Sequence, residues 1–180
     1  YGFAQMLRKV VDDLHPSHLI LTFDRPVPTF RHLQFEAYKA QRPDMPDEFH
    51  QQFPRVRALM EAFGVPIYEM DEYEADDMLG TLSTQAQAQG MDTIILTGDM
   101  DILQLVSPRI RVLLQRSMAE HLLYDETRVR ERYGGLTPDQ LVHMKALKGD
   151  PSDNIPGVPG IGEKTAIQLV QSYGSLEGIY

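Results

Sequence analysis

The chain has 180 residues, is 42% hydrophobic, contains no cysteine and carries a net charge of −9, which fits one domain or one and a half with enough apolar residues for a real core. Without cysteine there are no disulfides, zinc–thiolate sites or thiol nucleophiles, as suits a reducing compartment; no apolar run approaches the roughly 20 residues of a membrane span and the start does not read as a signal peptide, so a soluble, cytoplasmic, non-membrane chain is expected. The acidic balance speaks against a nucleic-acid partner only if the charge is evenly spread, and it is not.

At the start, Phe3, Met6, Leu7, Val10, Val11 and Leu14 recur at helical spacing, which predicts an amphipathic helix. His15-Pro16-Ser17 breaks it, and residues 18–23 form a nearly all-apolar run of the kind buried in a parallel sheet. Asp24 follows directly. Ligands of open α/β sheets bind beyond the carboxyl ends of strands, so Asp24 is a site candidate, with a turn-forming Asp as the plain alternative. Residues 25–49 change character: prolines bracket Phe30, Arg31, His32, Phe35, Tyr38, Lys39 and Arg42, in which basic and aromatic side chains interleave. Such a segment is expected to be mobile and to suit a phosphate backbone with stacking surfaces beside it; a solvated surface loop is the alternative. Residues 46–63 read as a helix with Phe53, Val56, Leu59, Met60 and Phe63 on one side and Gly64 as its stop. Residues 65–70 read as a strand.

Glu74, Asp76 and Asp77 place three carboxylates within four residues, ahead of a helical stripe through Met78, Leu79, Leu82 and Ala86 that ends at Gly90. The buried strand 93–97 then delivers Asp99 and Asp101. Strand, helix, strand with acids at the ends is βαβ logic, with a right-handed crossover. Like charges this close cost on the order of several kcal/mol unless protons or cations enter, and hard divalent ions with oxygen ligands are the direct answer. The alternative is that Asp76 and Asp77 decorate a helix start, where acids are favoured, and that Asp99 and Asp101 are solvated. A short helix at 102–106 and strands at 110–115 and 121–125 are expected next; His121 and His143 have no ligand-spaced partner.

Thr137, Pro138 and Gln140 sit at the N-cap, N1 and N3 positions of a helix running through Leu141, Met144 and Leu147 to Gly149. A third acidic pair, Asp150 and Asp153, follows. Gly157, Gly160, Gly162, Lys164 and Thr165 then form a Gly/Pro hairpin into a second amphipathic helix. Bare backbone N–H groups with Lys164 at a helix start make an anion seat; a tight corner with glycines for geometry is the alternative. The spacing is not that of a Walker loop.

Taken together, Phe23-Asp24, Thr29-Phe30-Arg31-His32, Tyr38-Lys39 with Arg42, Glu74-Ala75-Asp76-Asp77, Thr97-Gly98-Asp99 with Asp101, Gly149-Asp150 with Asp153-Asn154, and Gly157 through Thr165 resemble the 5′-nuclease domain of bacterial DNA polymerase I, within the wider flap-endonuclease family. The resemblance spans nearly the whole chain in order. It implies an α/β fold with a central, mostly parallel sheet flanked by helices, of the PIN-like or resolvase-like kind, over 1–136, including an arch segment at 25–49. A helix-hairpin-helix DNA-binding region is implied over 137–180.

The activity implied is divalent-metal-dependent hydrolysis of DNA phosphodiesters at 5′ ends or flaps, in replication and repair. The cofactor is a pair of Mg2+ ions, with Mn2+ as an alternative; two ions about 4 Å apart orient a water and neutralise the leaving oxygen. Asp24, Glu74, Asp76, Asp77, Asp99, Asp101, Asp150 and Asp153 fall on the family's ligand positions. Glu74, Asp76, Asp99 and Asp101 would lie nearest the first ion, and Asp150 and Asp153 at the second. Arg31, Tyr38, Lys39 and Arg42 correspond to the arch that admits the single-stranded 5′ end, with Lys39 and Arg31 the candidates to touch the scissile phosphate. Gly157, Gly160, Gly162, Lys164 and Thr165 would grip duplex backbone without reading sequence. The implied partners are DNA with 5′ flaps, nicks or ends, and a fused polymerase.

Two departures stand out. The chain starts after the family's first strand and its Asp ligand, and stops soon after the hairpin helix, so it reads as a fragment. A competing reading is a branched-DNA-binding module that, as this chain, does not cut. An aspartyl phosphatase at Asp24 is the weaker rival, because that chemistry wants a second Asp two residues on and position 26 is Pro.

Overall fold

The apolar spacing at the start produces helix α1, Gly2–Leu14, closed by His15 in the left-handed conformation at φ 47°. The computed structural model describes residues 1–43, 45–117 and 120–180. By chain contacts these form two units, one of Tyr1–Gln34 with Pro43–Leu79 and one of Phe35–Arg42 with Gly80–Tyr180.

In the first unit β1, Leu21–Thr22, runs parallel to β2, Ile67–Tyr68. The runs predicted at 18–23 and 65–70 are therefore trimmed to two paired residues each. Flanking bonds extend the ladder: Leu21 N–H donates to the Pro66 carbonyl at 3.0 Å and Phe23 N–H to that of Tyr68 at 3.1 Å. Helix α2 is Phe30–Gln34, and the single helix predicted over 46–63 is two, α3, Asp47–His50, and α4, Phe53–Ala62. The break has a covalent cause. Pro54 lies in the first turn of α4, where its missing N–H costs nothing, whereas in a continuous helix its ring would strike the carbonyl of His50. The predicted apolar face of α4 is also narrower than expected: Met60 is fully buried, while Phe53 and Phe63 are 41% and 69% exposed.

Helix α5, Ala75–Ala88, carries the chain into the second unit. There β3, Thr93–Thr97, pairs in parallel with β4, Ile110–Gln115, which pairs antiparallel with β5, His121–Tyr124. β4 alternates as a half-covered strand should, burying Ile110, Val112 and Leu114. The link from β3 to β4 contains a 3₁₀ turn, Met100–Leu105, which buries Ile102 and Leu103. Helix α6, Glu126–Arg132, buries one side chain, Val129, and is started by Asp125, whose carboxylate accepts from Arg128 N–H at 2.9 Å. The capping box at Thr137 forms as predicted and leads through Pro138–Gln140 into α7, Leu141–Lys148. Helix α8, Glu163–Tyr173, ends at Gly174, and a short α9, Leu176–Ile179, follows. No helix of the described residues is long and apolar enough to cross a membrane.

The hairpin between α7 and α8 is fixed by one close backbone approach. Asp150 and Ile155 exchange both backbone bonds at 2.8 Å, which presses Gly157 onto Lys148 and Gly149. A Cβ on Gly157 would overlap the Lys148 carbonyl, and one on Gly149, at φ 77°, would overlap Gly157 itself. Gly157, placed by the sequence among backbone-gripping residues, is thus first a packing glycine. Gly157→Ala should lower the urea midpoint by the equivalent of about 1–3 kcal/mol, as overpacking does, with the slope of the transition unchanged.

Candidate functional site

Carboxylates at helix starts recur in both units, and those of Asp24, Asp77, Asp99 and Asp150 are held by a backbone N–H. In the first unit Asp24, exposed just after β1, accepts from the N–H of Ala75, the first residue of α5, at 2.7 Å. Asp77, three residues into the turn, accepts from Glu74 N–H at 2.9 Å, half of a capping box. Its carboxylate also takes both prongs of the Arg31 guanidinium, at 2.7 and 2.8 Å, and Arg31 stands 3.6 Å from Glu74. Arg31 lies over the Phe30 ring, 4.6 Å from its centroid, and Phe30 packs against Tyr73. Asp76 is half-buried on the same turn. Arg31, expected from the family resemblance to touch a phosphate, here counterbalances the acids of α5.

In the second unit Asp99 follows β3 and accepts from Asp101 N–H at 2.7 Å, capping the 3₁₀ turn. Lys145 of α7 bridges two carboxylates, with its Nζ 2.7 Å from Asp101 and 2.9 Å from Asp150. Burial pushes the Asp101 carboxyl above its ordinary value, with the charges of Asp99 and Asp150 in support and Lys145 in opposition. Burial would do the same to Asp150, but hydrogen bonds from Ser152 and the Lys145 ammonium outweigh it and hold that carboxyl well below the usual range. Lys145 in turn is disfavoured by burial yet raised by the same two acids. One ammonium thus organises acids from two segments.

The basic segment 35–42 is not loose in this unit. Tyr38, offered by the sequence as a stacking surface for DNA, is only 6% exposed and its hydroxyl donates to the Asp153 carboxylate at 3.1 Å. Arg42 reaches the same carboxylate at 2.5 Å and the Ser152 carbonyl at 3.2 Å. Lys39 takes a left-handed φ of 56°, and its N–H donates to the Asp153 carbonyl at 3.0 Å. The mobile arch expected over 25–49 is, at 35–42, tied to the turn that carries Asp153.

At the hairpin Gly160, Gly162, Lys164 and Thr165 are all exposed, and Gly160 has φ 81°. Glu163 opens α8 between Lys148 at 2.6 Å and Arg132 at 3.6 Å, and the Lys148 bond lowers its pKa. Among the described residues no three Asp, Glu or His converge as a metal cage; the carboxylates are turned toward basic side chains and N–H groups. Lys145 was missed from the sequence. It stands 44 positions from Asp101, and only its place five residues ahead of Asp150 hinted at a role.

Against known proteins, residues 1–134 match the family model for the 5′-3′ exonuclease N-terminal resolvase-like domain and 136–180 that for the 5′-3′ exonuclease C-terminal SAM fold. DNA polymerase I of Bacillus caldotenax is 44% identical over 180 residues, covering 99% of this chain and 20% of that protein. DNA polymerase I of Chloroflexus aurantiacus is 48% identical over 182, covering 99% and 19%. The chain therefore spans about a fifth of the length of these curated relatives. Among solved structures, the T5 D15 protein co-crystallised with metal ions superposes with a TM-score of 0.82 at 21% identity, over 99% of this chain and 70% of that one. The catalytic core of Rad2 in complex with DNA substrate gives 0.61 at 18% identity, over 99% and 54%. These likenesses establish the resolvase-like nuclease fold with helices, a parallel sheet and a SAM-like helical end.

Lys145→Met should cost about 1 kcal/mol at pH 7, as two part-exposed carboxylates lose their shared cation. The loss should shrink on acidification. Asp101, with its pKa raised above the ordinary 3.8, protonates first and no longer needs the ammonium. The Asp150 contribution, complete above its ordinary value and lost only as pH falls toward its depressed folded-state value, outlasts it. Urea midpoints of both proteins should therefore draw closer from pH 7 to 3 without meeting; a constant gap would show that Lys145 acts through packing.

Proposed function

The chain belongs to the 5′-3′ exonuclease family, and from that membership we propose that it hydrolyses DNA phosphodiesters at 5′ ends and 5′ flaps with divalent cations. The observation that carries the reading is the occupancy of its carboxylates by cationic groups. Asp101 and Asp150 already share the Lys145 ammonium, and Glu74 and Asp77 the Arg31 guanidinium. A donor set of hard carboxylate oxygens, four of them on Asp24, Asp77, Asp99 and Asp150 preset by a backbone N–H, fits Mg2+ and also Mn2+. Such ions, when bound, would neutralise phosphate charge and activate water. Asp24, Glu74, Asp76, Asp77, Asp99, Asp101, Asp150 and Asp153 are the proposed holders.

The chain's own cations have the complementary task. Lys39 and Arg31 are proposed to meet the scissile phosphate, and Arg42 to guide the 5′ strand. Gly160, Gly162, Lys164 and Thr165, exposed at the start of α8, would seat duplex phosphates on N–H groups and one ammonium, without base readout. Residues 1–136 are taken as the nuclease core and 137–180 as the duplex-gripping region. The polymerase relatives support fusion to a DNA polymerase and work on bacterial DNA in replication and repair.

A second reading, a branched-DNA-binding module that does not cut, draws on the same Lys145, which already neutralises part of the proposed metal seat. A 5′-flap substrate separates the two. The nuclease reading expects cleavage that requires added Mg2+ or Mn2+ and falls at least about a hundredfold in Asp99→Asn, in line with the loss of a preorganised charge. Salt-dependent flap binding with no turnover at any Mg2+ concentration would establish the binding module instead.

A further inference from the structure

Asn154 belongs to none of the groups assigned so far. It closes the short 3₁₀ turn Pro151–Asp153 in a left-handed conformation, at φ 60° and ψ 29°, a conformation that Asn tolerates better than most residues. That alone would make it a turn residue. Its side chain does something else: Nδ2 donates to the carbonyl of Ala37 at 2.7 Å, across 117 positions of sequence. Ala37 is two residues before Lys39, whose own N–H donates to the Asp153 carbonyl at 3.0 Å. The two bonds run in opposite directions between the same pair of segments, so they fix both the distance and the register of Lys39 against the turn.

Two other side-chain links between these segments, from Tyr38 at 3.1 Å and from Arg42 at 2.5 Å, end on the Asp153 carboxylate, so any cation that takes up that charge competes with them. The Asn154 link ends on a neutral backbone carbonyl and is indifferent to the state of the carboxylate. Gln41 and Arg42 also reach carbonyls, those of Pro151 at 2.6 Å and Ser152 at 3.2 Å, but through longer side chains that lie beyond Lys39. Asn154, with two side-chain torsions and a backbone locked by the turn, is the stiffest of the three.

We propose that Asn154 is a positioning residue, whose amide holds the Lys39 backbone against the Asp153 turn whatever the charge on the Asp153 carboxylate. The functional half of this inference rests on the proposal that Lys39 meets the scissile phosphate; the structural half does not.

The test uses Asn154→Gly, which keeps the left-handed turn without strain and removes only the amide, and Asn154→Asp, which replaces the donor by an acceptor. In the full chain, trypsin cleavage of the Lys39–Ala40 bond, followed by mass spectrometry, should accelerate about three- to tenfold in both variants, the factor of one net hydrogen bond. Single-turnover cleavage of a saturating 5′ flap should fall by a similar factor, with flap affinity changed less than about twofold. An unchanged trypsin rate overturns the clamp. Faster proteolysis with an unchanged single-turnover rate overturns the positioning role. Should the unaltered chain not cut flaps at all, the nuclease reading has failed, and the trypsin comparison alone upholds or overturns the clamp.

Discussion

A carboxylate that accepts a backbone N–H at a helix start is fixed in orientation and leaves one oxygen turned elsewhere. Asp24 at the start of α5, Asp99 at the 3₁₀ turn after β3 and Asp150 at the turn after α7 all meet this condition. The helix end stabilises the anion with its partial positive charge, and the anion satisfies an N–H that would otherwise have none. Each acid is therefore preset rather than flexible, which matters for any cation that must be met by several at once. Acids as helix decoration and acids as ligands are not exclusive readings, since a carboxylate held at a helix start still has an oxygen to offer.

Holding several anions in place requires positive charge, and the chain supplies its own. Arg31 and Lys145 are each drawn to two carboxylates, and Arg42 to Asp153. The opposing shifts at Asp101 and Asp150 follow from this sharing. A single ammonium serves the acid that Ser152 also supports, and does less for the one crowded by Asp99. A cation entering such a set would take over a duty already performed, and would release a basic side chain in doing so.

How much of this was legible in sequence depends on the range of the interaction. β3 and β4 were bounded correctly because continuous or alternating apolar residues record burial locally. The capping box at Thr137 was legible for the same reason, as was Gly64, whose φ of 67° ends α4. α6 was missed because its only buried residue is Val129, too little for a periodic signal. The split of the 46–63 helix has its local signal in Pro54. Nothing local could reveal that Tyr38 would be buried against Asp153, 115 positions away, or that Arg31 would face Asp77. The acids were found by density; their partners, single basic residues in unremarkable surroundings, could be found only by folding.

The net charge can then be located. Of 26 acidic and 17 basic residues, eight acids are the candidate ligands, and setting them aside leaves 18 against 17. The charge of −9 is therefore almost wholly the property of one set of side chains, and the remainder of the chain is close to neutral. An evenly acidic protein would repel DNA over its whole surface, whereas one whose excess sits in preset carboxylates repels it only until those carboxylates are filled. Salt screens the diffuse part of such a field within about 8–10 Å but does little to charges in contact. The acidity that argued against a nucleic-acid partner at first sight is thus the form in which a cation-dependent affinity for phosphate would be stored.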